Sequence, residues 1–156
     1  MDRSVCKFRV LVVLWFACTG ALAGAPAAPD DFAEGVRLYE AEQFEAAANA
    51  FERAVQGAPL ASDYHNWLGK AYGRLAERSS FLTALDYARR TRKSFERAVE
   101  LDGDNRAALW SLMQFYTKAP GFIGGSEEKA AALRRRIADI DGTSEAVVLE
   151  AARAED

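Results

Sequence analysis

The chain has 156 residues, 50% hydrophobic and 28% charged, with nine Phe, five Tyr and three Trp, which suits one folded domain and excludes disordered or collagen-like chains. A net charge of −3, from 20 basic and 23 acidic residues, gives no field strong enough for capture of DNA or RNA to be the main task. There is one histidine and both cysteines lie within the first 18 residues, which excludes thiol nucleophiles, disulfides and cysteine-based metal sites from the rest of the chain.

Residues 1–23 are laid out as a secretory signal. Arg3, Lys7 and Arg9 make a positive start, Val10 to Cys18 is an unbroken apolar run, and Ala21-Leu22-Ala23 offers small side chains to a signal peptidase. Cleavage after Ala23 removes three basic and one acidic residue and leaves 133 residues with a net charge of −5. The rival reading is an uncleaved anchor: the 19 uncharged residues from Val10 to Ala28 approach the length of a membrane span, although Gly20, Gly24 and Pro26 weaken such a helix. Cys18 follows Trp15-Phe16-Ala17, which departs from the aliphatic-small-small pattern of a lipidated cysteine. Residues 24–29 read as a flexible leader. An exported chain without disulfides points to the periplasm or to secretion, with anchorage at the cell envelope as the alternative.

From residue 30 onward the periodicity is helical. Leu38, Tyr39, Ala46, Ala47, Ala50, Phe51 and Ala54 recur at three- and four-residue steps until Pro59. Further patterns run from about Asp63 to Leu75, from about Leu85 to Leu101 ahead of Asp102-Gly103-Asp104-Asn105, and from Arg106 to Lys118 ahead of Ala119-Pro120-Gly121. Ser126 is the expected cap of another helix, with Glu127 and Glu128 complementing its dipole; it ends at Asp141-Gly142. Thr143 or Ser144 then opens a short last helix to about Ala154. No stretch alternates like a strand, so the fold class is all-α.

The chain also repeats itself. Phe51-Glu52-Arg53-Ala54-Val55 recurs unchanged as Phe95-Glu96-Arg97-Ala98-Val99, each time just before a chain break. Gly35, Ala47, Phe51, Ala54 and Pro59 form a ladder that resembles the tetratricopeptide repeat, a pair of antiparallel helices. Trp67-Leu68-Gly69 and Tyr72 match the first helix of a second copy, whose Phe95 and Ala98 arrive ten residues late, with Thr91 at a position where alanine is usual. The insertion, about Arg78 to Arg89, lengthens either the turn or the helices. Trp110, Leu112 and Tyr116 begin a third copy in which Met113 replaces the glycine, Arg134 stands at the aromatic position, and Ala130, Ile137, Ile140, Asp141 and Gly142 are kept. The resemblance implies a tetratricopeptide-like α-α superhelix, or solenoid, of about three helix pairs plus a C-terminal capping helix. The repeats would fall at about 30–61, 62–105 and 106–144, with a partial one at 145–154.

The resemblance further implies a binding scaffold without a cofactor, whose partner is a protein or peptide segment held on the concave face lined by the first helices. The face would carry Phe32, Val36, Tyr39, Asn66, Lys70, Arg74, Trp110, Gln114 and Lys118, apolar at its ends and basic in the middle. Phe32, Tyr39 and Trp110 have core packing as their competing reading. Of the positions with which one branch of the family clamps a C-terminal carboxylate, Asn66 alone matches, so that activity is not expected. Phe122 and Ile123 sit in a glycine-rich loop, where they either plug the third repeat or contact a partner or membrane. Gly-Gly-Ser at a helix start suggests a phosphate loop, but no Lys-Ser/Thr pair follows and Glu127 and Glu128 would repel an anion. Arg89, Arg90, Arg92, Lys93 and Arg97, and the run Arg134 to Arg136, read as solvated faces paired with nearby acids. His65 has no second ligand to complete a metal site, and no acid pair has a companion nucleophile, so neither a metal nor a catalytic residue is expected.

Overall fold

The computed structural model describes residues 28–142; the signal-like segment, the leader before Ala28 and the expected last helix after Gly142 lie outside the described residues. Six α-helices follow one another: α1 (Ala28–Glu40), α2 (Phe44–Gly57), α3 (Ser62–Arg78), α4 (Phe81–Leu101), α5 (Arg106–Lys118) and α6 (Glu127–Ile140), with a 3-10 turn at Gly121–Ile123. No strand occurs among the described residues. Each helix packs mainly on its sequence neighbours, α1 on α2, α3 on α4 and α5 on α6, with α2 against α3 and α4 against α5 joining one hairpin to the next.

The repeated pentapeptide makes repeated contacts. The Phe51 ring lies so close to Gly35 that a Cβ there would meet it at 2.5 Å, and Phe95 approaches Gly69 in the same way at 2.6 Å. Only glycine lets the two helices of each hairpin come this near. Next along the pentapeptide, Glu52 accepts a hydrogen bond from the Tyr72 hydroxyl, and Glu96 accepts one from Tyr116 at 2.8 Å. These bonds tie α2 to α3 and α4 to α5 by the same device. The third hairpin solves the problem differently. Met113 fills the space that glycine leaves in the other two, packed with the fully buried Ala130 and beside Leu133 and Ile137, while Arg134 stays exposed and bonds Glu127 at 3.5 Å.

Burial pushes the Tyr72 and Tyr116 hydroxyls up to about 12, helped in each case by the carboxylate they bond. A raised folded-state value favours the neutral phenol. Its stabilisation is therefore whole below pH about 10, the unfolded value, and drains away as pH climbs toward 12. We expect Tyr72 and Tyr116 to ionise last in an ultraviolet titration, with Tyr39 also delayed by its burial, and unfolding free energy to fall over the same interval. Five phenols titrating together near the ordinary value would refute it.

The ten extra residues of the second hairpin go into helix. It runs from Ser62 to Leu101, 40 residues against 30 for Ala28 to Gly57, and its turn is only Ser79-Ser80. α3 has 17 residues where α1 has 13, and α4 has 21 where α2 has 14. Thr91 is accepted at its buried position because it faces Gly73, its methyl 3.8 Å from where a Cβ there would stand, and because its hydroxyl donates to the Tyr87 carbonyl at 2.9 Å.

The cap at Ser126 forms as expected, accepting from the Lys129 amide, and the break before α5 supplies a second cap, Asn105, which accepts from the Ala108 amide. Asn105 does more: its amide nitrogen donates to Ser62 and Asp63 at the start of α3, at 2.9 and 2.7 Å. The first turn of α1 takes in Ala28 and Pro29, which the sequence reading left to the leader; proline is tolerated there because those N–H groups have no helical acceptor.

Candidate functional site

One groove of about 670 Å³ opens between α3, the N-terminal half of α4, α5 and the loop leading to α6. α3 contributes Lys70 and Arg74, one turn apart on one face, with Gly73 between them. α5 contributes Trp110, Gln114 and Lys118 at the same four-residue spacing. The loop supplies Pro120, Phe122 and Ile123, and the opposite wall is Phe81, Ala84, Leu85 and Ala88 of α4.

Eight of the eleven residues expected on the face or in the loop therefore meet: Tyr39, Lys70, Arg74, Trp110, Gln114, Lys118, Phe122 and Ile123. Asn66 does not. It was expected on an exposed face, but it is 1% exposed, inside α3's buried stripe with Leu68, Gly69 and Tyr72. Phe32 and Val36 are packed into the first core cluster and are absent from the groove; Phe32 stacks on Tyr64 at 4.4 Å and meets the edge of Trp67 at 6.3 Å. Tyr39 has both roles, lining the groove while packing edge-on against Phe44 and Trp67. Trp110 is 52% exposed and belongs to the groove wall.

The plug-or-contact question at the loop divides between its two residues. Phe122 is 72% exposed, whereas Ile123 is half-buried. The loop itself is held tightly. Gly125 donates to the Pro120 carbonyl at 3.1 Å and Ser126 to that of Tyr116 at 3.0 Å. Gly124 adopts φ 108°, where an L side chain is strained, and lies against the Arg92 guanidinium of α4.

Charge in the groove is uneven. Three cations, Lys70, Arg74 and Lys118, line it against one carboxylate, Glu77. Arg74 is engaged with that carboxylate at 2.6 Å and rides over the Phe44 ring; Lys118 donates to Gln114 at 2.9 Å. Lys70 has no ion-pair partner among the described residues. Its ammonium lies over the Trp67 ring, 4.4 Å from the centroid, and partial burial lowers its pKa while Asp63 opposes the shift. Tyr39 is pushed up, chiefly by burial.

Most of the other basic candidates have local partners, whereas Arg89, Lys93 and Arg135 make no ion pair among the described residues. Arg90 pairs with Asp86, Arg97 with Glu100 and Arg136 with Asp104, at 2.8, 3.2 and 3.8 Å. His65 shares a 2.9 Å hydrogen bond with the Pro59 carbonyl and so fastens the α2–α3 turn. Among the described residues no cluster of metal-ligating side chains occurs, and no helix is long and apolar enough to cross a membrane.

The α4 wall is what the sequence reading missed. Phe81, Ala84, Leu85 and Ala88 recur at helical spacing inside the insertion, an apolar face that no neighbouring hairpin covers; Phe81 is 70% exposed. That unmatched periodicity was the available signal. No protein-family model matches the chain, and no curated protein matches it.

Proposed function

We propose that the chain is a non-enzymatic scaffold that binds a peptide or protein segment in the groove between α3, α4 and α5, on a tetratricopeptide-like superhelix in the periplasm or cell envelope. The observation that carries this reading is the convergence of Lys70, Arg74, Trp110, Gln114 and Lys118 with an uncovered apolar wall on one face. An apolar trough with a few placed polar groups suits a segment that buries large side chains and uses charge for register. The tetratricopeptide assignment is supported by the repeated Gly–Phe approaches at Gly35 and Gly69 and by the repeated Tyr–Glu bonds. Export is supported by the tripartite layout of residues 1–23.

The double variant Lys70→Glu/Arg74→Glu tests the groove. Tagged protein recovered from its own cell envelope should retain a recurrent partner, and the variant should lose it at unchanged helix content. A partner retained equally by both would move the binding surface elsewhere. The second reading is a membrane-tethered architectural module, favoured by the 19 uncharged residues from Val10 to Ala28. The mass of the mature N-terminus separates the two.

A further inference from the structure

We infer that Lys70 is the anion anchor of the groove, so that the bound segment carries an Asp or Glu carboxylate on Lys70 beside a large apolar side chain seated among Phe81, Trp110 and Phe122. This inference rests on the reading of the groove as a segment-binding site and specifies what the segment must contain.

Two observations converge on it. First, the groove is a local reversal of the protein's charge: three cations against one carboxylate in a chain whose net charge is −3. Second, the three cations are not equivalent. Glu77 satisfies Arg74 at 2.6 Å, and Gln114 holds Lys118 at 2.9 Å. Lys70 has only the face of Trp67 beneath it, and the carboxylate whose field still reaches it, Asp63, is engaged by Asn105 at 2.7 Å. A half-buried ammonium that has lost water without gaining an anion is a cost to the free protein. A ligand carboxylate removes that cost and gains a charge-assisted hydrogen bond in a partly dry trough, where it is stronger than in water. The aromatic residues around it, Trp110 at 52% and Phe122 at 72% exposure, have apolar surface left to bury. A segment made only of apolar residues would leave Lys70 uncompensated. A basic segment would meet repulsion from three sides.

The test uses the full chain and a phage-displayed library of random twelve-residue peptides, with Trp110→Arg as the groove-blocked control. Wild type should enrich sequences in which Asp or Glu adjoins aromatic or aliphatic residues. The winning peptide, labelled for fluorescence polarisation, should bind Lys70→Glu at least tenfold more weakly and Lys70→Gln to an intermediate degree. Its counterpart with Lys in place of the acid should bind Lys70→Glu better than wild type. Circular dichroism and thermal melting identify any variant that fails to fold, and Lys70→Gln, neutral and similar in length, then carries the comparison. Enriched peptides that lack acids, or that bind Lys70→Glu within twofold of wild type yet fail on Trp110→Arg, overturn the anchor and leave the groove standing. No enrichment above Trp110→Arg overturns the peptide reading itself. Retention on phosphatidylglycerol vesicles that Phe122→Ser abolishes, in place of peptide enrichment, also overturns it and gives the face to a membrane.

Discussion

Replacing Phe51 by alanine should cost about 3–5 kcal/mol, a large share of the roughly 5–15 kcal/mol that holds a domain of this kind together. Phe51 is wholly buried, and its ring is gripped from three directions. Gly35 lies against one face of it, and the rings of Phe32 and Trp67 stand 5.8 and 5.9 Å away, centre to centre. Removing the ring empties a space bounded by backbone, since Gly35 has no side chain to swing into it. The helices cannot approach further without breaking their own packing, so the cavity term adds to the lost burial. Phe122→Ala deletes the same atoms from a side chain that is 72% exposed and should stay within about 0.5 kcal/mol of wild type. Urea unfolding of the two variants beside wild type is the measurement. Similar midpoints for both would contradict the packing described for Phe51.

The second large effect is expected at Gly125. An added methyl there would run into the Ala119 carbonyl oxygen, a backbone atom that cannot rotate aside. Gly125→Ala should therefore force the 119–125 loop open and cost about 1–3 kcal/mol. Two hydrogen bonds are at stake, from Gly125 to Pro120 and from Ser126 to Tyr116. Their loss would show as faster amide exchange at Gly125 and Ser126, and the groove would lose the wall formed by Phe122 and Ile123. Gly121→Ala is the control, because nothing lies within 4 Å of its added Cβ. If the two variants exchange and melt alike, the loop is not the tight structure described.

Much of this was legible along the chain, and the misses have physical causes. Asn105 and Ser126 carry side-chain acceptors that fit helix starts, and Arg106–Lys118 is bounded by a cap on one side and Pro120 on the other, so those limits could be read. The break between α1 and α2 could not. It falls at Ala41 to Gln43 with neither glycine nor proline, and Glu42 takes φ 58° because backbone bonds from Glu42 to Tyr39 and from Gln43 to Leu38 hold it there. Asn66 was misplaced because a polar side chain in an amphipathic helix ordinarily faces water; α3 instead turns it inward, where its Oδ1 has no partner among the described residues. Of the groove, the α3 and α5 rows were readable because the repeat resemblance implies that first helices line one face, and four-residue spacing then picks out the side chains on it. The α4 wall depended on where ten surplus residues went, and an insertion within a helical pattern extends a turn or a helix with nearly the same local sequence.

That surplus also sets most of the groove's α4 wall apart from the contacts that pack the hairpins, Thr91 and Phe95 alone belonging to both. The C-terminal half of α4 makes the packing contacts: Phe95 and Ala98 meet Gly69 and Ser62 of α3 within the hairpin, and Glu96 bonds Tyr116 of α5 in the next. The wall is made by residues 81–88, two helical turns nearer the N-terminus. At about 1.5 Å per residue, the four extra residues of α3 and seven of α4 carry the hairpin's tip roughly 6–10 Å past its neighbour. The depth of the trough is therefore adjustable in steps of a helical turn, by matched gain or loss at the Ser79-Ser80 tip. No joint between hairpins need be rebuilt, so helix length can set the depth of the trough independently of the side chains that line it.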